Sequence, residues 1–80
     1  MIAPIDLVVP LADVNPRSWH IKKMAKVLER QGQIEPLQVY KIVEHYFVFQ
    51  DDPHGNDIVY AARQLGWPTL LIVEMRKYDG

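Results

Sequence analysis

Cysteine is absent from this chain of 80 residues. That excludes a disulfide framework, a thiolate zinc site and any thiol nucleophile, and it fits a reducing compartment. Hydroxyl nucleophiles are nearly as scarce. Ser18 is the only serine and Thr69 the only threonine. Ser18 precedes a helical pattern, so it reads as a helix cap before it reads as a member of a catalytic triad. No apolar run approaches the ~20 residues that cross a bilayer. The opening MIAPIDLVVPL is apolar, but it has no basic leader and is broken by Pro4 and Pro10. It does not read as a secretion signal, and the expected location is cytoplasmic, away from membranes.

What is present suits a small globular fold. Hydrophobic residues make up 49% and charged residues 24%, and the length allows one domain over residues 1–80. Such a chain buries only roughly 60% of its unfolded surface, so its core must be compact. Net charge is −1, unevenly spread. Residues 16–32 hold Arg17, Lys22, Lys23, Lys26 and Arg30 against Glu29 alone, a local charge of +4. The remaining chain carries four cations against nine carboxylates, or −5. The whole molecule is therefore no generic polyanion binder, but one segment can offer a basic face.

Periodicity outlines the elements. The β-branched stretch 5–11 predicts a short strand closed by Pro10. Asn15-Pro16 marks a turn. Ile21, Met24, Ala25 and Leu28 recur at helical spacing and predict a helix over 19–31, with Ser18 before it and Gly32 after it. PLQVYKIVEHYFVFQ, residues 36–50, reads as two strands turning near Val43-Glu44-His45, although no glycine marks the turn. Ile58, Ala61, Ala62 and Leu65 predict a second helix over about 56–65, ended by Gly66. TLLIVEM, residues 69–75, is nearly continuous in apolar residues and suits a central strand. The tail RKYDG reads as solvated. The order β-α-β-β-α-β gives an α+β (α/β) fold: a small mixed sheet with two main helices.

HGNDIVYAARQLGW, residues 54–67, raises a chemical question. A glycine before a helix start is a common anion cradle, because free N–H groups point outward there. Yet Asn56 and Asp57 follow Gly55, and Asp51 and Asp52 precede it. No Lys or Arg occurs between Lys41 and Arg63.

Four stretches together resemble one family. They are NPRSW (15–19), GQIEPLQVY (32–40), YFVFQDD (46–52) and GNDIVYAARQLGW (55–67). In order and spacing they resemble the ParB/sulfiredoxin superfamily, in particular the ParB-like N-terminal "nuclease" domain, from about Ile5 to Met75. The resemblance implies close packing of Ala61 and Ala62 on the sheet, and a Gly55 whose missing Cβ lets a ligand reach the backbone. It also implies an arginine in the box after the glycine that grips nucleotide phosphates. Here that position is Ile58. A carboxylate within ~4 Å of a phosphate costs roughly 4 kcal/mol at an effective dielectric of about 20. Nucleoside-triphosphate binding of the family type is therefore expected to be lost. Sulfiredoxin chemistry, which needs a reactive cysteine, is excluded. Full ParB proteins continue into a helix-turn-helix domain and a dimerisation region, so complete segregation activity is not expected of these residues.

The expected nucleic-acid or anion contacts are Arg17, Lys22, Lys23, Lys26, Arg30, Gly55 and Asn56, with Trp19 as a stacking ring or as a residue packed at the core edge. Arg17 leads, because it falls in the segment resembling the family's Asn-Pro-Arg. For Asn56 and Asp57 the competing role is simple helix capping. An oxygen-rich alternative gathers Asp51, Asp52, His54 and Asp57 around a divalent metal. His20 and His45 stand alone in sequence and read as surface or core histidines. Tyr40, Tyr46, Phe47, Phe49 and Trp67 read as core or sheet-face aromatics. The leading reading is a non-enzymatic ParB-like module without a cofactor, acting on nucleic acid or on a protein that handles it. Its size suits a phage, plasmid or other mobile element. A metal-dependent nuclease or nucleotide hydrolase is the alternative, and a protein-only inhibitor or adaptor the second alternative.

Overall fold

The computed structural model describes residues 1–13, 15, 17–52 and 54–75. Pro16 of the expected turn and the expected solvated tail with Arg76 and Lys77 lie outside them. Seven regular elements follow one another: β1 (Ile2–Pro4), β2 (Val8–Val9), α1 (Trp19–Gln31), β3 (Leu37–Ile42), β4 (His45–Val48), α2 (Gly55–Gln64) and β5 (Thr69–Glu74). The strands form one mixed sheet in the order β1-β5-β3-β4-β2. β3 runs parallel to β5 and antiparallel to β4, and β2 runs parallel to β4. This is the small mixed α+β architecture that the residue pattern predicts.

The expected strand over 5–11 is instead a 3-10 turn at Ile5–Leu7 followed by the two-residue β2, and β1 lies before that span. β1 pairs with β5 at one edge of the sheet, while β2 pairs with β4 at the other. A single strand cannot serve both edges. A 3-10 turn over Ile5–Leu7 carries the chain between them, and Ile5 is buried in the process.

α1 begins and ends where its flanking residues dictate. Ser18 is extended, with φ −63° and ψ 149°, and its Oγ accepts from the Ile21 N–H at 3.5 Å. Gly32 takes φ +72°, and its N–H donates to the Leu28 carbonyl at 2.7 Å, closing the last turn. Ile21 and Leu28 are buried; Met24 and Ala25 pack beside them. The β3–β4 turn falls at Val43 and Glu44, between the paired Ile42 and His45. With no glycine available there, Val43 itself adopts φ +58°.

One core serves both helices. Leu37, Val39, Val48, Leu70 and Ile72 from the strands meet Ile21 and Leu28 of α1 and Val59, Ala61 and Ala62 of α2. The buried stripe of α2 therefore includes Val59, one residue from the predicted Ile58, which is half-buried. β5 is an interior strand, but it is covered on one face only. Leu70 and Ile72 are buried while Leu71 and Val73 are 37% and 42% exposed. Both helices contribute to the single core, so the opposite sheet face remains open to solvent. Among the aromatics, Tyr46 and Trp67 pack against the core, and Tyr40 meets Phe49 edge-on at 4.9 Å.

Candidate nucleic-acid interface

The basic segment folds into a helix face directed away from the core. Each residue of an α-helix is turned about 100° from the last. Trp19, Lys22, Lys23, Lys26 and Arg30 therefore fall within roughly 100° of arc, opposite the arc of Ile21, Met24 and Leu28. All five are exposed, as is Arg17 just before the cap. The Arg17 backbone is held by its N–H, which donates to Asn15 Oδ1 at 3.0 Å. That leaves its side chain beside the start of the helix. Glu29 lies at the margin of the cationic arc.

The electrostatics of this arrangement run against helix stability. A helix start carries a partial positive charge and favours acidic side chains. The first turn of α1 contains no acidic residue. Instead Arg17, Lys22 and Lys23 crowd that end. Amide dipoles and side-chain charges thus add to one positive region, which attracts polyanions.

Trp19 is 63% exposed, so packing at the core edge is not its role. Its ring stacks on that of His20, with centroids 3.9 Å apart and planes inclined by 29°. Lys23 Nζ lies over the indole at 5.8 Å. His20, set aside in sequence as isolated, thereby joins the face. The signal that identifies it is simple adjacency to a tryptophan at the first helical position.

The start of α2 is differently occupied. Gly55 is buried, and a Cβ built on it would collide with Val48 Cγ1 and approach Asp52 to 3.4 Å. Its missing side chain lets α2 pack on β4; the same absence was expected to open the backbone to a ligand. Asn56 Oδ1 accepts from the Leu11 N–H at 2.6 Å, which ties α2 to the segment after β2. The N-cap is His54, without a side-chain cap hydrogen bond. Capping by Asn56 or Asp57 is thus corrected: Asn56 bonds a distant segment, and Asp57 lies inside the first turn. Asp52 accepts from the Gln38 N–H at 3.1 Å and the His54 N–H at 3.2 Å, using both carboxylate oxygens to shape the approach to the helix. Among the described residues, no group of three or more His, Asp or Glu side chains is placed to hold a metal, so Asp51, Asp52, His54 and Asp57 do not converge.

Between the end of α1 and the start of α2 lies a cavity of about 230 Å³ lined by Met24, Val27, Ile34, Ile58, His54 and Glu35, among others. None of the lysines or arginines of α1 lines it. The cavity and the cationic face are therefore lined by different side chains of α1.

No family model matches the chain, and no curated protein does either. Solved structures do. The chain matches the C-terminally truncated chromosome-partitioning protein ParB from Caulobacter crescentus complexed to the centromeric parS site, with a TM-score of 0.74 and 20% identity. It matches the same truncated protein complexed with CTP-gamma-S at a TM-score of 0.76 and 17% identity. Sulfiredoxin from Arabidopsis thaliana matches at a TM-score of 0.72 and 18% identity. These matches cover 99%, 99% and 96% of this chain. The chain spans 40% and 45% of the two ParB chains, and 86% of the sulfiredoxin chain. The fold is ParB/sulfiredoxin-like, as the resemblance of the four stretches implies. No described helix is long and apolar enough to cross a membrane.

Proposed function

We propose that the protein is a ParB-like binding module that holds nucleic acid through the exposed face of α1, without catalysing a reaction on it. One observation carries the reading: Arg17, Lys22, Lys23, Lys26 and Arg30 are exposed around a helix whose first turn has no compensating acid. Such a placement costs stability and is useful to a polyanion. The ParB neighbour complexed to a DNA site lends a parallel at the level of fold only. Contacts made by lysines and arginines to phosphates position a protein without reading sequence. Binding should therefore be sequence-tolerant and steeply dependent on salt.

Triphosphate binding of the kind seen in the CTP-gamma-S complex is not part of this proposal. Ile58 stands where the resemblance implies a phosphate-gripping arginine. The adjoining cavity is walled mainly by aliphatic side chains and includes Glu35. A triphosphate there would lose its hydration for few hydrogen bonds.

The test is fluorescence anisotropy with labelled oligonucleotides at low salt, comparing the protein with a Lys22→Glu, Lys23→Glu, Lys26→Glu variant. Binding by the protein and its loss in the variant supports the reading. Equal binding by both, or by neither, overturns it. Calorimetric titration with CTP and ATP, each with Mg²⁺, should give no binding heat. Supercoiled plasmid incubated with Mg²⁺ or Mn²⁺ should stay intact; cleavage above a chelated control would favour the metal-dependent alternative.

A further inference from the structure

We propose that the nucleic acid held by α1 is single-stranded, with an unpaired base stacked on Trp19. This rests on the binding reading above and adds a substrate class to it. Three observations lead to it. Trp19 carries the indole of the cationic arc, and it is 63% exposed at the first position of the helix. It is held by the stacked His20 ring at 3.9 Å, so the indole is presented as a braced surface. The cations follow it along the same face, with Lys23 over the ring at 5.8 Å and Lys26 and Arg30 beyond.

The geometry separates the two kinds of nucleic acid. In a duplex the base faces are occupied by their neighbours, and a side chain reaches only edges and backbone. A flat ring gains nothing there unless it wedges a base step apart, at an unstacking cost. An unpaired strand offers free faces, and aromatic–base stacking is tolerant of sequence because every base has one. From Trp19 to Arg30 the helix advances about 16 Å at 1.5 Å per residue. A strand can lie along that length, with one base on the indole and successive phosphates beside Lys23, Lys26 and Arg30. Insertion into a lipid surface is not open to α1, since its apolar stripe of Ile21 and Leu28 is already buried in the core.

The experiment compares a labelled oligothymidylate with a labelled duplex, using the full chain and the variants Trp19→Ala and Trp19→Phe. Trp19→Ala should weaken oligothymidylate binding about tenfold and leave duplex binding nearly unchanged. Trp19→Phe should restore most of the loss, because a phenyl ring still stacks. Circular dichroism melts check that both variants fold, as expected for an exposed side chain. An equal loss on both probes, no loss on either, or tighter binding of duplex than of single strand overturns the single-strand proposal and leaves the cationic face in place. Failure of the unmodified chain to bind either probe overturns the binding reading as well.

Discussion

The two helices of this domain start in opposite ways. α2 follows the rules of helix stability: Asp57 lies in its first turn and Arg63 in its last, so both charges complement the dipole. Arg63 also donates to the Val8 carbonyl at 3.3 Å, and Asn56 accepts from Leu11, so α2 is laced to the N-terminal segment at both ends. α1 has a side-chain cap in Ser18, yet cations cluster at its positive end and a tryptophan stands exposed there. The polar residues of α2 account for themselves by what they hold together. Those of α1 make no comparable tie to another segment, and it is on them that the proposed binding role rests. Gly55 serves packing against Val48, while the lysine-led start is the one on which the proposed binding role rests.

That contrast can be broken most decisively at α1. Replacing Lys22, Lys23 and Lys26 by glutamate should lower nucleic-acid affinity at least tenfold and reduce the salt slope by about three, one per lost phosphate contact. The same variant should melt no lower than the parent, because acids near a helix start contribute about 0.3–1 kcal/mol each. A large fall in melting temperature would show that the lysines were structural after all. At α2 the expectation reverses. Gly55→Ala should cost about 2 kcal/mol in urea unfolding, since the new Cβ meets Val48. Adding Val48→Ala should recover part of that cost, which would appear as non-additivity between the two sites. Nucleic-acid affinity should be unaffected by Gly55→Ala wherever the variant is folded.

A smaller effect is expected from Asn56→Ala. Losing the bond to the Leu11 N–H should cost about 1 kcal/mol, read by the same unfolding assay, again without changing affinity. The smallest change concerns neither helix. Val43 is 85% exposed and holds φ +58°, a conformation that β-branched residues resist. Val43→Asn should stabilise by roughly 0.5 kcal/mol, because asparagine tolerates that region.

Local signals explain which features could be read beforehand. Ser18 and Gly32 bracket α1, and their roles depend only on near neighbours, so the boundaries 19–31 are legible. The hairpin was legible from alternation even without a glycine. The placing of β1 and β2 was not, because the partners of Ile2 and Val8 lie in β5 and β4, far along the chain. Val59 escaped the predicted stripe because Ile58 fits the same spacing one residue away. The missing Cβ of Gly55 is visible in the sequence, but the Val48 side chain that fills its place is not, because only the fold brings the two together. Asn56 meets a partner 45 residues distant, beyond any pattern of spacing. The cationic arc of α1 was legible from composition and the helical repeat, while the exposure of Trp19 depended on which way the core lay.

Gln33 has a consequence for local opening. Its side-chain amide accepts from the Leu71 N–H at 2.7 Å and donates to the Leu71 carbonyl at 2.8 Å, standing beside β5 as one more strand residue would. The exchange of a single backbone hydrogen, that of Leu71, is thereby tied to the docking of a segment 38 residues earlier. A slow Leu71 amide signals that the exit of α1 is seated, and its quickening would register the release of that exit before the sheet itself comes apart.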